Sequence, residues 1–143
     1  RNQNILIGER TAEQIKIQVG AAMKDIDNPP DDFPVNGRDL VTGIPKQIMV
    51  SYQEIAEALD KSIFKIEEAI LKALEQTPPE LAADIYRRGL YITGGGALLR
   101  GLDKRIGNKI KLPVHIADDP LKSVVRGTGI ALKNYSRYPF VMR

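Results

Sequence analysis

Tyr91-Ile-Thr-Gly-Gly-Gly-Ala-Leu-Leu-Arg-Gly-Leu-Asp-Lys104 joins a short apolar run to three consecutive glycines and then to a helix-like apolar pattern. Glycine loses more backbone freedom on folding than any other residue, so a run of them needs a reason. Strand, glycine turn and helix together make a general nucleotide-binding arrangement. Bare backbone lets a ligand approach, and the helix that follows offers unpaired N–H groups. The run is not the dinucleotide fingerprint, because GxGxxG is missing, and not a Walker A loop, because no Gly-Lys-Ser/Thr follows. On the glycines alone, a tight turn with close strand–helix packing stands level with a ligand site.

Working outward, Leu90–Thr93 reads as a buried strand, Leu98 to about Lys109 as a helix, and Pro113–Ala117 as a second strand. Asp118 or Asp119 is expected to cap a last helix with Leu121, Val124, Val125, Thr128 and Leu132 on its apolar side. A strand–helix–strand unit implies a parallel pair with a right-handed crossover. Upstream, Gly89 ends a short helix that Thr77 caps and the following prolines open. Ser51 and Glu54 form a capping-box pattern before the strongest helix, whose face is Ile55, Leu59, Ile63, Ile66, Ile70 and Leu74. Residues 35–50, VNGRDLVTGIPKQIMV, read as a β-hairpin around Thr42-Gly43, with Pro45 limiting pairing near the turn. A proline- and aspartate-rich loop covers 24–34, and 9–21 reads as a helix with Ala12, Ile15, Val19 and Ala22 on one face. Residues 1–8 begin without Met and read as the tail of a helix, so the chain is expected to be cut from something larger. The tail from Asn134 is expected to fray or to pack on a neighbour, and Tyr135–Met142 is a candidate to fill a gap at the sheet edge. The element order gives an α/β fold.

Composition narrows the function classes. The 143 residues are about one domain's worth, 43% hydrophobic and 27% charged, as in ordinary globular proteins. A net charge of +3 with the signs mixed is no nucleic-acid footprint. There is no cysteine, so neither a disulfide framework nor a thiolate metal site is available. His115, the single histidine, sits mid-strand on the polar alternation and reads as structural. No apolar run approaches a membrane span and no secretory signal opens the chain, so a cytoplasmic location is expected.

The quoted motif, 90–104, is similar to the adenosine-binding motif of the actin, sugar-kinase and heat-shock chaperone superfamily. More narrowly, IGERTAEQIK (7–16), NGRDLVTGIPK (36–46), TPPELAADI (77–85), TGGGALLRGLDK (93–104) and ADDPLKSVVRGTGIAL (117–132) together resemble the MreB family of bacterial actins, which maintain rod shape. The resemblance runs in order over nearly the whole chain; the loop at 24–34 and the tail after Lys133 are its least typical parts. It implies part of the second lobe of an actin-like ATPase: an outer subdomain over 1–75, a β-hairpin with helices, and a truncated inner subdomain over 76–143, a short parallel sheet with helices. The phosphate loops, the hydrolytic acid, the magnesium ligands and the membrane-anchoring elements belong to the half not represented here. The full-length parent would be a slow ATPase and this piece alone inactive.

Carried over residue by residue, the resemblance matches Glu13 and Lys16 to the acid and lysine that contact adenine and ribose. It matches Gly94, Gly95, Gly96 and Ala97 to the turn beneath the adenosine. Spacing alone would leave Glu13 and Lys16 a solvated helix pair. Leu98 and Leu99 read as core, and Arg100 as a solvated helix residue or, less readily, a phosphate-facing cation. Arg38 and Asp39 lie by the hairpin turn, where a subunit contact is conceivable. The implied cofactor is ATP. The implied partners are further copies in a filament, a RodZ-like membrane adaptor and the cell-wall elongation machinery. The implied location is the cytoplasmic side of the plasma membrane. Two other classes remain: a small-molecule kinase of the same superfamily, and an interaction module that binds no nucleotide.

Overall fold

The hairpin forms where its turn chemistry puts it. In the computed structural model, which describes residues 3–138, β2 (Phe33–Asp39) and β3 (Pro45–Val50) pair antiparallel, with Val35 opposite Ile48 and Phe33 opposite Val50. Gly43 takes φ +73° at the tip, a conformation that favours glycine. The Asp39 carboxylate accepts from the N–H groups of Val41 at 2.8 Å and Thr42 at 3.0 Å and pairs with Lys46 at 3.2 Å. Those bonds, the backbone pair foremost, hold its pKa down at about 2. Pro45 stands at the last register position, opposite Arg38, where the absence of an N–H does least harm. The helix tail expected over 1–8 is not seen among the described residues of that stretch, 3–8: Ile5–Leu6 forms β1, antiparallel to β2, because Asp39 and Arg38 offer it a free edge. The sheet order is β1-β2-β3.

The helix α1 (Glu9–Val19) lays Ile15 and Val19 against Val35 and Val50, all buried. Ala12 points to solvent instead of the core, and Thr11, one turn before Ile15, is half-buried in its place. The long helix α2 (Tyr52–Glu75) starts with the expected capping box. Ser51 accepts from the Glu54 N–H at 3.3 Å, and Glu54 accepts from the Ser51 N–H at 3.0 Å. Its first turns join the hairpin core through Tyr52 and Ile55. Further along, Ile63 joins a second core with Ala22, Leu102 and Ile106. Ile66, expected on that face, is exposed, while Glu67 is 5% exposed. The face turns toward Glu67 because Arg105 supplies a charged partner there.

Thr77 does not cap the next helix. Its hydroxyl donates to the Ala73 carbonyl at 2.8 Å and closes α2, leaving Pro78 to cap α3 (Pro79–Arg88). Gly89 ends α3 at φ +73°, where a Cβ would lie 2.4 Å from the Pro113 carbonyl oxygen. The strands β4 (Leu90–Ile92) and β5 (Val114–Ile116) then pair in parallel, Tyr91 opposite His115. The α4 helix does not begin at Leu98. Gly95–Leu98 is one 3-10 turn, Leu99 is extended, and α4 spans Leu102–Ile110. The chain breaks stride because Arg100 forms a parallel bridge with Ala21 and Gly101, at φ +74°, redirects it. Leu98 is exposed rather than core, whereas Leu99 packs on the second cluster. The last helix, α5 (Ser123–Lys133), is capped by Lys122 and not by either aspartate. Asp119, at φ +47°, instead heads a turn closed by the Lys122 N–H at 2.9 Å. Leu121, Val124, Val125 and Leu132, the expected apolar side, are all exposed. The tail forms a short 3-10 turn over Tyr135–Arg137, and the gap-filling role expected of Tyr135–Met142 rests largely on residues outside those described.

Candidate functional site

Three consecutive glycines invite the question of which one the protein itself needs. Gly94 is explained by its backbone, φ +83° and ψ 176°, which side chains disfavour. Gly95 and Gly96 are not explained that way. A Cβ on Gly96 would meet nothing within 4 Å, and one on Gly95 would touch only Leu121 Cδ2, at 3.5 Å. Both are exposed, whereas Ala97 is buried and anchors the turn. Close strand–helix packing therefore does not account for the bare backbone at Gly95 and Gly96. What they present is an open strip of main chain at the end of a parallel sheet, where α/β folds bind ligands.

Glu13 and Lys16 sit together on the exposed face of α1 and form an ion pair of 2.6 Å. Such an exposed pair contributes little to stability. The end of α1 is tied to the segment that follows the glycine turn. Ala22 N–H donates to the Arg100 carbonyl at 2.8 Å, and the Arg100 guanidinium donates to the Gly20 carbonyl at 3.4 Å. Arg100 is thus not a solvated helix residue; half-buried, it joins α1 to the turn's exit.

The sequence reading missed Arg105. Its Nε donates to Glu67 at 2.6 Å, and its Nη1 reaches Asp60 at 2.8 Å and the Ala22 carbonyl at 2.9 Å. The hydrogen bond to Glu67 is the main reason its pKa is raised. The signal available in the sequence was Glu67, four residues after Ile63 on an apolar face, where an acid requires a buried partner. His115 lies exposed in β5 with its ring 5.1 Å from that of Tyr91. Asp119 is engaged by Lys122 at 3.4 Å and Arg126 at 3.9 Å. A shallow open groove of about 390 Å³ runs between the 23–27 loop and α4, lined by Met23, Asp25, Asp27, Asp103 and Lys104. It includes none of the glycines of the turn, so the turn's chemistry is separate from it. No described helix is long and apolar enough to cross a membrane.

A sequence model of the MreB/Mbl protein family matches residues 1–139. The cell shape-determining protein Mbl of Bacillus subtilis (strain 168) is 46% identical over 139 residues, covering 97% of this chain and 41% of that protein. The cell shape-determining protein MreB of Escherichia coli (strain K12) is 46% identical over 136 residues, covering 93% of this chain and 38% of that protein. The chain thus spans about two fifths of the length of these curated relatives. The crystal structure of MreB 5 of Spiroplasma citri bound to AMPPNP superposes with a TM-score of 0.86 at 38% identity, over 98% of this chain and 41% of that one. The MamK double helical filament, at 22% identity and a TM-score of 0.64, shares the fold. By sequence over nearly its whole length, and by fold, the chain belongs to the MreB/Mbl family of cell shape-determining, actin-like proteins.

Proposed function

We propose that this chain is the adenosine-binding part of an ATP-binding bacterial actin homologue. The single observation that carries this reading is the exposed backbone of Gly95 and Gly96, which the protein's own packing does not require. Gly94, Gly95, Gly96 and Ala97 form the floor beneath the adenosine. Glu13 and Lys16, already side by side, turn from each other to the adenine and ribose, exchanging a weak exposed ion pair for ligand contacts. That MreB 5 of Spiroplasma citri has crystal structures bound to AMPPNP and to ADP supports the choice of ligand. ATP, with magnesium held by residues outside this chain, supplies the phosphoryl chemistry, and the whole protein is a slow ATPase.

In this reading residues 1–75 form an outer subdomain and 76–143 an inner one. The whole protein polymerises into filaments on the cytoplasmic face of the plasma membrane, held there by regions outside this chain. It works with a RodZ-like adaptor and the cell-wall elongation machinery to maintain rod shape. The test is nucleotide affinity in the protein of full family length, read with a fluorescent ATP analogue. Gly95→Val sets a branched side chain on the strip and is expected to weaken binding more than tenfold, by about 1.4 kcal/mol or more. Glu13→Ala removes one exposed contact and is expected to cost about 1 kcal/mol. Equal or reversed losses would sink the assignment of the floor. Failure of the wild type to bind ATP would favour the nucleotide-free module, and phosphate transfer to a small substrate without filament pelleting would favour the kinase.

A further inference from the structure

The glycine turn is held from outside its own sequence. Gly94 N–H donates to the Pro120 carbonyl at 2.8 Å. The Thr93 hydroxyl donates to the same oxygen at 2.9 Å, and the Ser123 hydroxyl reaches it at 3.2 Å. A carbonyl oxygen has two lone pairs, and the two hydroxyls also contact each other. The donors therefore resolve as a relay. Gly94 and one hydroxyl take the carbonyl, and the second hydroxyl donates to the first.

The loop that carries Pro120 is itself fixed at both ends. Ala117 N–H donates to the Ile92 carbonyl at 3.0 Å, extending the β4–β5 pairing. At the other end Asp119 closes its turn on Lys122 and pairs with Lys122 and Arg126. Leu121, from the same loop, lies beside Gly95. Gly94 is the pivot between β4 and the open strip, and a glycine without its anchor has many alternative conformations. A ligand that needs one of them loses affinity in proportion to the fraction of molecules that hold it.

We propose that Thr93 and Ser123 are positioning residues for the nucleotide site, acting through the Pro120 carbonyl to hold Gly94 and so pre-form the Gly95–Gly96 strip. This rests on the reading of that strip as the adenosine floor. Neither hydroxyl touches the ligand; both act on the turn.

The test compares Thr93→Val, Ser123→Ala, their combination and Thr93→Ser in the protein of full family length. Two quantities are read: the affinity for a fluorescent ATP analogue, and hydrogen exchange at the Gly94 amide without nucleotide. The combined variant is expected to lose about tenfold in affinity and to exchange Gly94 about tenfold faster, as removal of one or two hydrogen bonds would give. Thr93→Ser keeps the hydroxyl and is expected to stay within twofold of the parent in both. Parent-like affinity in the combined variant would overturn the proposal. So would a Thr93→Ser loss as large as that of Thr93→Val, which would trace the effect to the methyl group. If the combined variant does not fold, the Thr93→Val and Thr93→Ser pair decides alone. If the parent binds no ATP, the adenosine-floor reading falls, and unchanged Gly94 exchange in Thr93→Val and Ser123→Ala then overturns the clamp separately.

Discussion

The hairpin end of the molecule closes on itself, and the β4–β5 end does not. Around β2 and β3, α1 and the start of α2 bury Ile15, Val19, Val35 and Val50 within a local antiparallel sheet. Around β4 and β5 the described residues supply two parallel strands, and α5 has no buried residue at all. Val125 is 74% exposed there, in company with Leu121, Val124 and Leu132. The difference follows from topology. A hairpin joins its strands by a tight turn and covers one face with a single helix layer, whereas parallel strands are normally covered on both faces. A short stretch of chain can complete the first arrangement but not the second.

The comparison breaks most sharply where the two ends meet. Arg105→Met leaves Glu67 buried with its charge unmatched, and is expected to destabilise the fold by about 3–5 kcal/mol in urea unfolding. Adding Glu67→Leu should restore most of that loss; no recovery would show that the pair does not hold the junction. Next comes a matched contrast between the ends. Ile15→Ala in the closed end is expected to cost about 2–5 kcal/mol. Val125→Ala in the open end should stay within about 0.5 kcal/mol. Equal costs would erase the distinction drawn here.

A gentler probe is association. Exposed parallel edges and an apolar helix face favour pairing between copies, so sedimentation of this chain is expected to show a concentration-dependent dimer that Val125→Glu weakens. A monodisperse monomer, unaffected by the substitution, would contradict this. The smallest effect belongs to the hairpin tip. Asp39 titrates at about 2 when folded, against an ordinary 3.8. Its contribution is therefore complete above pH 3.8 and is lost as pH falls through about 2. The amide shifts of Val41 and Thr42 should report that midpoint, and a midpoint near 4 would show that the carboxylate does not hold the turn.

Legibility from sequence tracked how local the physics was. The capping box, the Gly43 tip and the Gly89 helix end are decided by a few neighbouring residues, and each lies where its motif indicates. Several misreadings involve distant partners, whereas Thr77 and Asp119 are drawn from their expected caps by bonds with Ala73 and Lys122, only a few residues away. Ile66 yields to Glu67 because of Arg105, and α4 starts late because Arg100 bridges to Ala21. Ile5–Leu6 is a strand because β2 offers an edge. The glycine turn was legible as a candidate site, but only the contacts that a Cβ would make distinguish the backbone demand at Gly94 from the open strip at Gly95 and Gly96. The Pro120 anchor, 27 residues from Thr93, leaves no periodic trace.

The long helix α2 reaches from the hairpin core to the second core without a break. At 24 residues it is a rod of about 36 Å, from a rise of 1.5 Å per residue. Mechanically it is a lever. A tilt of about 5° at its capped end sweeps the far end through about 3 Å and Glu67, about 22 Å along the rod, through about 2 Å, on the scale of the contact that Glu67 makes with Arg105. A push on the hairpin is thus delivered to Arg105 and, through the Ala22 carbonyl it grips, to the strand of backbone leaving the glycine turn.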